Sequence, residues 1–144
     1  MTATDTPHTP PGAADLKERH GLTEPTSPVS LREGEAGLLA RFAASAGSGP
    51  LRAARVSVSE GSTVLVAGVD EQRSLFVEPH LLTGTIQADQ AWAVVQDLFK
   101  LALVARTHPG ARAVLLVADE QAAASARRFL RRAPGLTIVE VVVA

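Results

Sequence analysis

ARAVLLVADEQAAASARRFLRRAPGLTIVEVVV, residues 111–143, is the stretch of sequence that decides the fold. Its first apolar run, residues 113–118, is typical of a strand that is buried on both faces in a parallel sheet. Asp119 is a good helix N-cap, and the amphipathic run 120–132 that follows it predicts a helix. After a Pro-Gly break, the β-branched run 137–143 predicts a final strand. Together these segments predict a right-handed parallel β-α-β unit at the C-terminal end.

A helix and three short strands are predicted upstream of this unit. Ser30 and Glu33 have the spacing of a capping box, so a first helix is expected to begin there, and Gly47–Pro50 would end it. Alternating or continuous apolar runs separated by polar turns predict strands at residues 55–59, 63–69 and 74–78. Pro79 has no N–H to donate, so the third strand is expected to end or bulge there.

The second helix, predicted at residues 87–106, is apolar on nearly every side. Asp97 and Lys100 interrupt it, which makes a membrane span improbable. Because one sheet face cannot cover such a helix, we expect the first helix or a second subunit to cover the remaining surface. The predicted interface residues are Trp92, Val95 and Phe99.

These segments give the order αβββαβαβ, a mixed α/β sheet in which an antiparallel three-strand meander joins the C-terminal parallel β-α-β unit. Residues 30–144 are predicted to form a single domain. Residues 1–29 are rich in proline and polar residues and contain few large apolar side chains. Such a segment cannot offset its ordering entropy by burial, so a disordered N-terminal tail is predicted.

Composition excludes several classes of function. The net charge is −1, with 14 basic and 15 acidic side chains, so the chain has no overall attraction to nucleic acid or membranes. The absence of cysteine excludes disulfides, thiolate nucleophiles and thiolate metal ligands. The N-terminal residues lack the pattern of a signal peptide, and a cytoplasmic location is therefore expected.

Common catalytic motifs are also missing from the sequence. It contains no glycine-rich phosphate loop of either common type and no G-x-S-x-G elbow. The four histidines are isolated in sequence, which argues against a zinc site. The remaining candidates for catalytic residues are acidic side chains, and the order of the predicted helices and strands decides how they are interpreted.

That order, αβββαβ followed by αβ, resembles the PD-(D/E)xK nuclease superfamily. The resemblance implies a divalent metal such as Mg²⁺, held by a glutamate of the first helix, an aspartate of the second strand and an acidic residue of the third. In this sequence Glu33 or Glu35 would supply the helix position, Asp70 the aspartate and Glu78 the acidic residue.

The family's lysine is the point of departure from this pattern. His80 stands where the E-x-K motif has lysine, and Asp70 falls at the turn between two strands. In some members of the family the lysine comes from the following helix, where this chain has Lys100. The resemblance therefore implies Glu35, Asp70, Glu78 and Lys100 as weak catalytic candidates.

Each candidate also has a simpler structural interpretation. Glu33 fits a helix cap, Asp70 fits a turn, and Glu78 with His80 fits an exposed strand end. Asp97 and Lys100, three residues apart on one helix, fit a weak helical ion pair.

Four arginines crowd the last turns of the third helix: Arg127, Arg128, Arg131 and Arg132. Cations at this end complement the helix dipole, and such a set is usually a solvated face. Alternatively, four guanidinium groups on one short helix could bind the phosphates of a nucleic acid.

Two hypotheses follow from the sequence. The preferred one is a non-catalytic α/β interaction module that self-associates, through the second helix or an edge strand, or binds a protein partner. The alternative is a degenerate PD-(D/E)xK nuclease-like protein that binds nucleic acid, with cleavage less expected than binding.

Overall fold

The computed structural model describes residue 31 and residues 33–144. The predicted tail at 1–29 and the capping residue Ser30 lie outside the described residues. The elements are α1 (Glu33–Ala46), β1 (Arg52–Ser59), β2 (Ser62–Val69), β3 (Leu75–His80), α2 (Ala88–Thr107), β4 (Arg112–Val117), α3 (Glu120–Arg132), a short 3₁₀ helix (Pro134–Leu136) and β5 (Glu140–Val143). The predicted order αβββαβαβ is confirmed.

The strands form one five-stranded sheet in the order β1-β2-β3-β4-β5. β1, β2 and β3 pair antiparallel, and β3, β4 and β5 pair parallel. The mixed α/β class is therefore confirmed, as are the antiparallel meander with β2 at its centre and the parallel β-α-β unit at the C-terminal end.

The helices lie on both faces of the sheet. Successive side chains of a strand point to opposite faces, so β3 directs Leu75 and Val77 towards α1 and Phe76 towards α2. α3 packs in the same apolar cluster as α2. Because α1 lies across the sheet, it does not cover the outer surface of α2, and the first of the two predicted covers for that helix is wrong.

β3 continues through Pro79 to His80, beyond its predicted end. Its pairing with β4 extends to His80, whereas its pairing with β2 is recorded only for Val77 and Phe76. A proline inside a sheet removes one ladder hydrogen bond. The missing N–H thus coincides with the point where β2 and β3 separate.

β2 carries a bulge beside this separation. The β1–β2 register pairs Ala54 with Val66 but Arg52 with Val69, so two residues of β2 face one residue of β1. The second of the two is Gly68, where an added Cβ would lie 2.9 Å from the side chain of Leu39 on α1. A glycine at this position therefore allows the helix to approach the strand closely.

The final strand begins at Glu140 and not at Thr137 as predicted. Pro134 stands at the start of the 3₁₀ helix, and the Thr137 hydroxyl donates to the Pro134 carbonyl at 2.8 Å. This local turn occupies the residues that β-propensity alone assigns to the strand. No helix in the described part of the chain has the length and apolarity needed to cross a membrane.

Candidate functional site

The charged residues between β3 and α2 form a connected network. Lys100 Nζ lies 2.6 Å from Glu78 Oε1 and 3.0 Å from Asp97 Oδ1. His80 Nε2 donates to Asp97 Oδ2 at 2.6 Å. Glu78, His80, Asp97 and Lys100 are therefore joined in a chain of charge-assisted hydrogen bonds, which are stronger than neutral ones.

Strand alternation and helix periodicity place these four side chains together. Glu78 and His80 are separated by one residue on β3, so both point to the face that α2 covers. Asp97 and Lys100 are three residues apart on α2, so they lie on one side of the helix. The predicted helical pair is confirmed, but it faces the sheet instead of open solvent.

Glu78 is the most deeply buried member, with 6% of its surface exposed. The interpretation of Glu78 and His80 as an exposed strand end is therefore wrong for Glu78, and His80 ends the strand but is half-buried. Its Oε1 also accepts the backbone N–H of Ala67 at 3.1 Å, at the bulge of β2. The carboxylate thus fills the opening where the β2–β3 ladder stops, and within the described residues every buried side-chain polar atom has a partner.

Burial and charge shift the network's acid strengths in different directions. Burial raises the pKa of Glu78, and the nearby Lys100 ammonium only partly opposes that effect. Burial also tends to raise the pKa of Asp97. The hydrogen bond from His80 and the charge of Lys100 outweigh that effect, so the pKa of Asp97 is lowered. Burial would lower the pKa of Lys100, yet its two carboxylate partners raise it. Lys100 therefore keeps its proton.

A lysine ammonium, and not a metal ion, bridges the carboxylates of this network. No group of three or more His, Asp or Glu side chains in residues 31 and 33–144 is arranged to hold a metal ion. The Lys100 ammonium lies between the carboxylates of Glu78 and Asp97, where a cation bound by both would have to sit. The arrangement thus fits an internal ammonium better than Mg²⁺.

The other acidic candidates lie away from Glu78. Asp70 accepts hydrogen bonds from the N–H groups of Ser74 and Leu75 and from the Ser74 hydroxyl, so it is the predicted turn residue. These bonds outweigh the effect of burial and lower the pKa of Asp70. Glu33 and Glu35 occupy the first turn of α1. That helix packs on the opposite face of the sheet from Glu78, so the structure does not bring Glu35, Asp70 and Glu78 together.

The four arginines of α3 are all exposed but differ in their partners. Arg127 donates to the Val141 carbonyl at 3.1 Å and to Glu120 at 3.4 Å. Arg128 and Arg132 line a small cleft of about 130 Å³ beside Ser125. Only part of the set therefore faces a common concave surface.

The outer face of α2 carries large apolar side chains. Trp92 is 69% exposed, Phe99 56% and Leu103 45%, while Val95 is half-buried. At the helical rotation per residue, Trp92, Phe99 and Leu103 lie within an arc of about 40°. We call this row, together with Asp89, Gln96 and Arg106, the α2 stripe.

The two ends of the α2 stripe have opposite charge. Asp89 lies in the first turn of the helix and Arg106 in the last. Both residues and Gln96 between them are exposed. The Arg106 guanidinium also donates to the Gly135 carbonyl at 2.9 Å, which holds it beside the 3₁₀ helix.

A groove of about 200 Å³ lies beside the basic end of the α2 stripe. Its walls are Phe99, Ala102, Leu103 and Arg106 from α2 and residues 133–136 from the loop after α3. The groove is mainly apolar, with the guanidinium at its rim.

The sequence indicated most of these residues separately. It did not predict the contact of Asp97 and Lys100 with Glu78 and His80, nor the groove beside the α2 stripe. The available signal for the first was a lone Asp-Lys pair in an apolar helix, since such charges need partners when buried. The groove beside the α2 stripe depends on the turn after α3, and no pattern in the sequence predicts it.

Comparison with models of known protein families finds no match for this chain, and comparisons with curated proteins and with solved structures find none either.

Proposed function

We propose that this protein is a non-catalytic, self-associating α/β module and that the α2 stripe is its homodimer interface. The observation that carries the proposal is the exposure of Trp92, Phe99 and Leu103 on one side of one helix. Single exposed apolar residues are normal on protein surfaces, but several large ones on one side of a helix mark an interaction site.

A second copy of the chain is the occupant that fits the stripe's charges. Asp89 and Arg106 stand at opposite ends of the apolar row, so the stripe is complementary to itself when one copy is reversed. Two-fold symmetric dimers use the same patch on both subunits and require this kind of self-complementarity. An interface built mainly from one helix pair is small, and we expect a dissociation constant on the order of micromolar.

Sedimentation velocity from about 1 to 200 μM tests this proposal. The wild-type chain should shift from monomer to dimer as concentration rises, and Leu103→Glu should remain monomeric because it places a carboxylate within the apolar row. Ala124→Glu is the matched control, since Ala124 is an exposed residue of α3. A wild-type chain that stays monomeric throughout this range would contradict the proposal.

A degenerate PD-(D/E)xK nuclease-like protein is the second candidate function. The observation in its favour is the contact of 2.6 Å between Lys100 and Glu78, because a lysine from this helix takes the motif's role in some members of that family. The exposed arginines of α3 would then bind the phosphates of a nucleic acid.

Fluorescence anisotropy with labelled DNA at low salt tests this second function. Binding should weaken as salt rises and disappear when Arg127, Arg128, Arg131 and Arg132 are all replaced by glutamine. Cleavage in Mg²⁺ or Mn²⁺ that Glu78→Gln abolishes would establish an enzyme. No binding at low salt would eliminate the nucleic-acid function, since phosphate contacts are strongest there.

A further inference from the structure

We infer that two copies pair their α2 helices antiparallel, and that Trp92 of each copy inserts into the groove of the other. The inference rests on the proposed self-association and specifies its geometry. It comes from three features of α2: the spacing of its exposed residues, the position of its end charges and the shape of the groove.

The spacing of the stripe is symmetric about one point. Trp92 and Leu103 are equidistant from the midpoint between residues 97 and 98, and so are Asp89 and Arg106. Gln96 and Phe99 share the same midpoint. A two-fold axis there would place Trp92 of one copy opposite Leu103 of the other and would bring each Asp89 beside an Arg106.

The groove has the form of a hole for a helical knob. Phe99, Ala102, Leu103 and Arg106 are residues i, i+3, i+4 and i+7, the four positions that surround a knob from a facing helix. The small side chain of Ala102 leaves the floor of this hole open, and the loop after α3 closes one side. Its volume of about 200 Å³ suits a large aromatic side chain.

Trp92 is the residue that the antiparallel register directs towards this hole. It is the chain's single tryptophan and its most exposed large apolar side chain among the described residues. The Arg106 guanidinium at the rim is positioned for a cation–π contact with an indole. Tryptophan in a pocket with arginine nearby is the composition typical of an interface hot spot.

A parallel pairing of the same helices is disfavoured by charge. It would place Asp89 beside Asp89 and Arg106 beside Arg106, and it would set the two Trp92 side chains against each other and leave both grooves empty. Like charges in contact cost binding free energy, whereas the antiparallel register pairs opposite charges at both ends.

Spin-label distances distinguish the two arrangements. The chain has no cysteine, so single labels can be placed at Ala88→Cys and at Ala93→Cys, both at exposed positions. In the antiparallel register the label sites are separated along the helix axis by about 28 Å for residue 88 and about 13 Å for residue 93. In a parallel pair both axial separations are zero, and the labels at residue 88 lie closer together than those at residue 93 because residue 88 is nearer to the stripe.

Tryptophan fluorescence tests the seating of Trp92 without any label. As wild-type concentration rises through the dissociation constant, the emission should shift to shorter wavelength because the indole leaves water. Trp92→Ala should weaken dimerisation at least tenfold, and Leu103→Glu should abolish the shift.

The outcomes separate the two proposals. A dimer in which the labels at residue 88 lie no farther apart than those at residue 93, or in which Trp92 emission is unchanged, would overturn the inferred geometry and leave self-association in place. A chain that stays monomeric would instead overturn the proposed function. A distance at residue 88 that clearly exceeds the distance at residue 93, together with the emission shift, would support both.

Discussion

α2 and α3 pack on the same face of the sheet but distribute their side chains in opposite ways. α3 turns alanines such as Ala122 and Ala126 inward and arginines outward. α2 directs Asp97 and Lys100 towards the strands and exposes Trp92. α3 follows the usual amphipathic rule, with apolar residues inward and charged residues outward. α2 departs from that rule on both its inner and its outer side.

This difference distinguishes side chains that stabilise the fold from the exposed apolar side chains of α2, for which packing within the fold gives no reason. The outer face of α3 is typical of a surface that remains in water. The inner charges of α2 depend on a specific set of partners, whereas its outer apolar row is only partly covered, by the loop after α3. A helix that carries a charged pair on its otherwise apolar inner side and large apolar residues on its outer side indicates an internal polar contact on one side and an external contact on the other.

The largest expected effect comes from breaking the inner contact of α2. Lys100→Met leaves the Glu78 carboxylate buried without its ammonium partner, and it should reduce the free energy of unfolding by about 3 kcal/mol at pH 7. Urea denaturation measures the loss. The double variant Glu78→Gln, Lys100→Met should recover part of it, because no charge is then left unpaired. A single variant as stable as the wild type would show that the ion pair is not needed.

We also expect the free energy of unfolding of Lys100→Met to depend on pH. Burial raises the pKa of Glu78, so the stability that its neutral form provides is complete below the ordinary glutamate value and is lost as pH rises through the folded-state pKa. Without Lys100 that loss should be larger, and the stability of Lys100→Met should fall relative to wild type as pH rises above the ordinary glutamate value. Adding Glu78→Gln to Lys100→Met should remove this loss of stability with rising pH.

A smaller effect is expected from enlarging the inner face of α3. Ala126 is fully buried against the sheet, and Ala126→Leu would force extra methyl groups into a packed space. We expect a loss of about 2 kcal/mol in the free energy of unfolding. Ala124→Leu on the exposed side of the same helix is the control and should change stability little. Equal effects at the two positions would contradict the assigned faces of α3.

The N-cap of α3 should contribute less again. Asp119 accepts the N–H groups of Ala122 and Gly84, and these bonds lower its pKa. The stability it adds is present above the ordinary aspartate value and is lost as pH falls through the folded-state pKa. Asp119→Ala should therefore lower the melting temperature by a few degrees at pH 7, and the difference should shrink as pH falls below the ordinary aspartate value. Thermal melts across pH measure this.

The smallest effect on folding is expected at the outer face of α2. Phe99→Gln should change the stability of the monomer by no more than about 0.5 kcal/mol, because the ring is more than half exposed. Measurements below the dissociation constant isolate the monomer, and Arg131→Gln on α3 is the matched control. A large loss would mean that the row serves the fold itself.

Periodicity predicted most of the fold because each element is long enough to show its pattern. The apolar run at 113–118 and the helix at 120–132 specified the parallel unit from local residues alone. The contact between Glu78 and Lys100 could not be predicted with the same means. It depends on the face of β3 that α2 covers and on the rotation of α2, and both are set by packing of the whole chain. The late start of β5 was missed because Pro134 nucleates a 3₁₀ turn that β-propensity does not register.

The separation of β2 from β3 at Pro79 has a consequence for cooperativity. The hairpin of β1 and β2 is paired with the rest of the sheet over only a short segment, so it forms a natural unit of partial unfolding. Two hydrogen bonds at the C-terminal end of α2 attach this hairpin to the helix. The Thr107 hydroxyl donates to the Val58 carbonyl at 3.0 Å, and the His108 ring donates to the Ser57 carbonyl at 3.1 Å. Backbone amides of β1 should consequently exchange with solvent before those of β4.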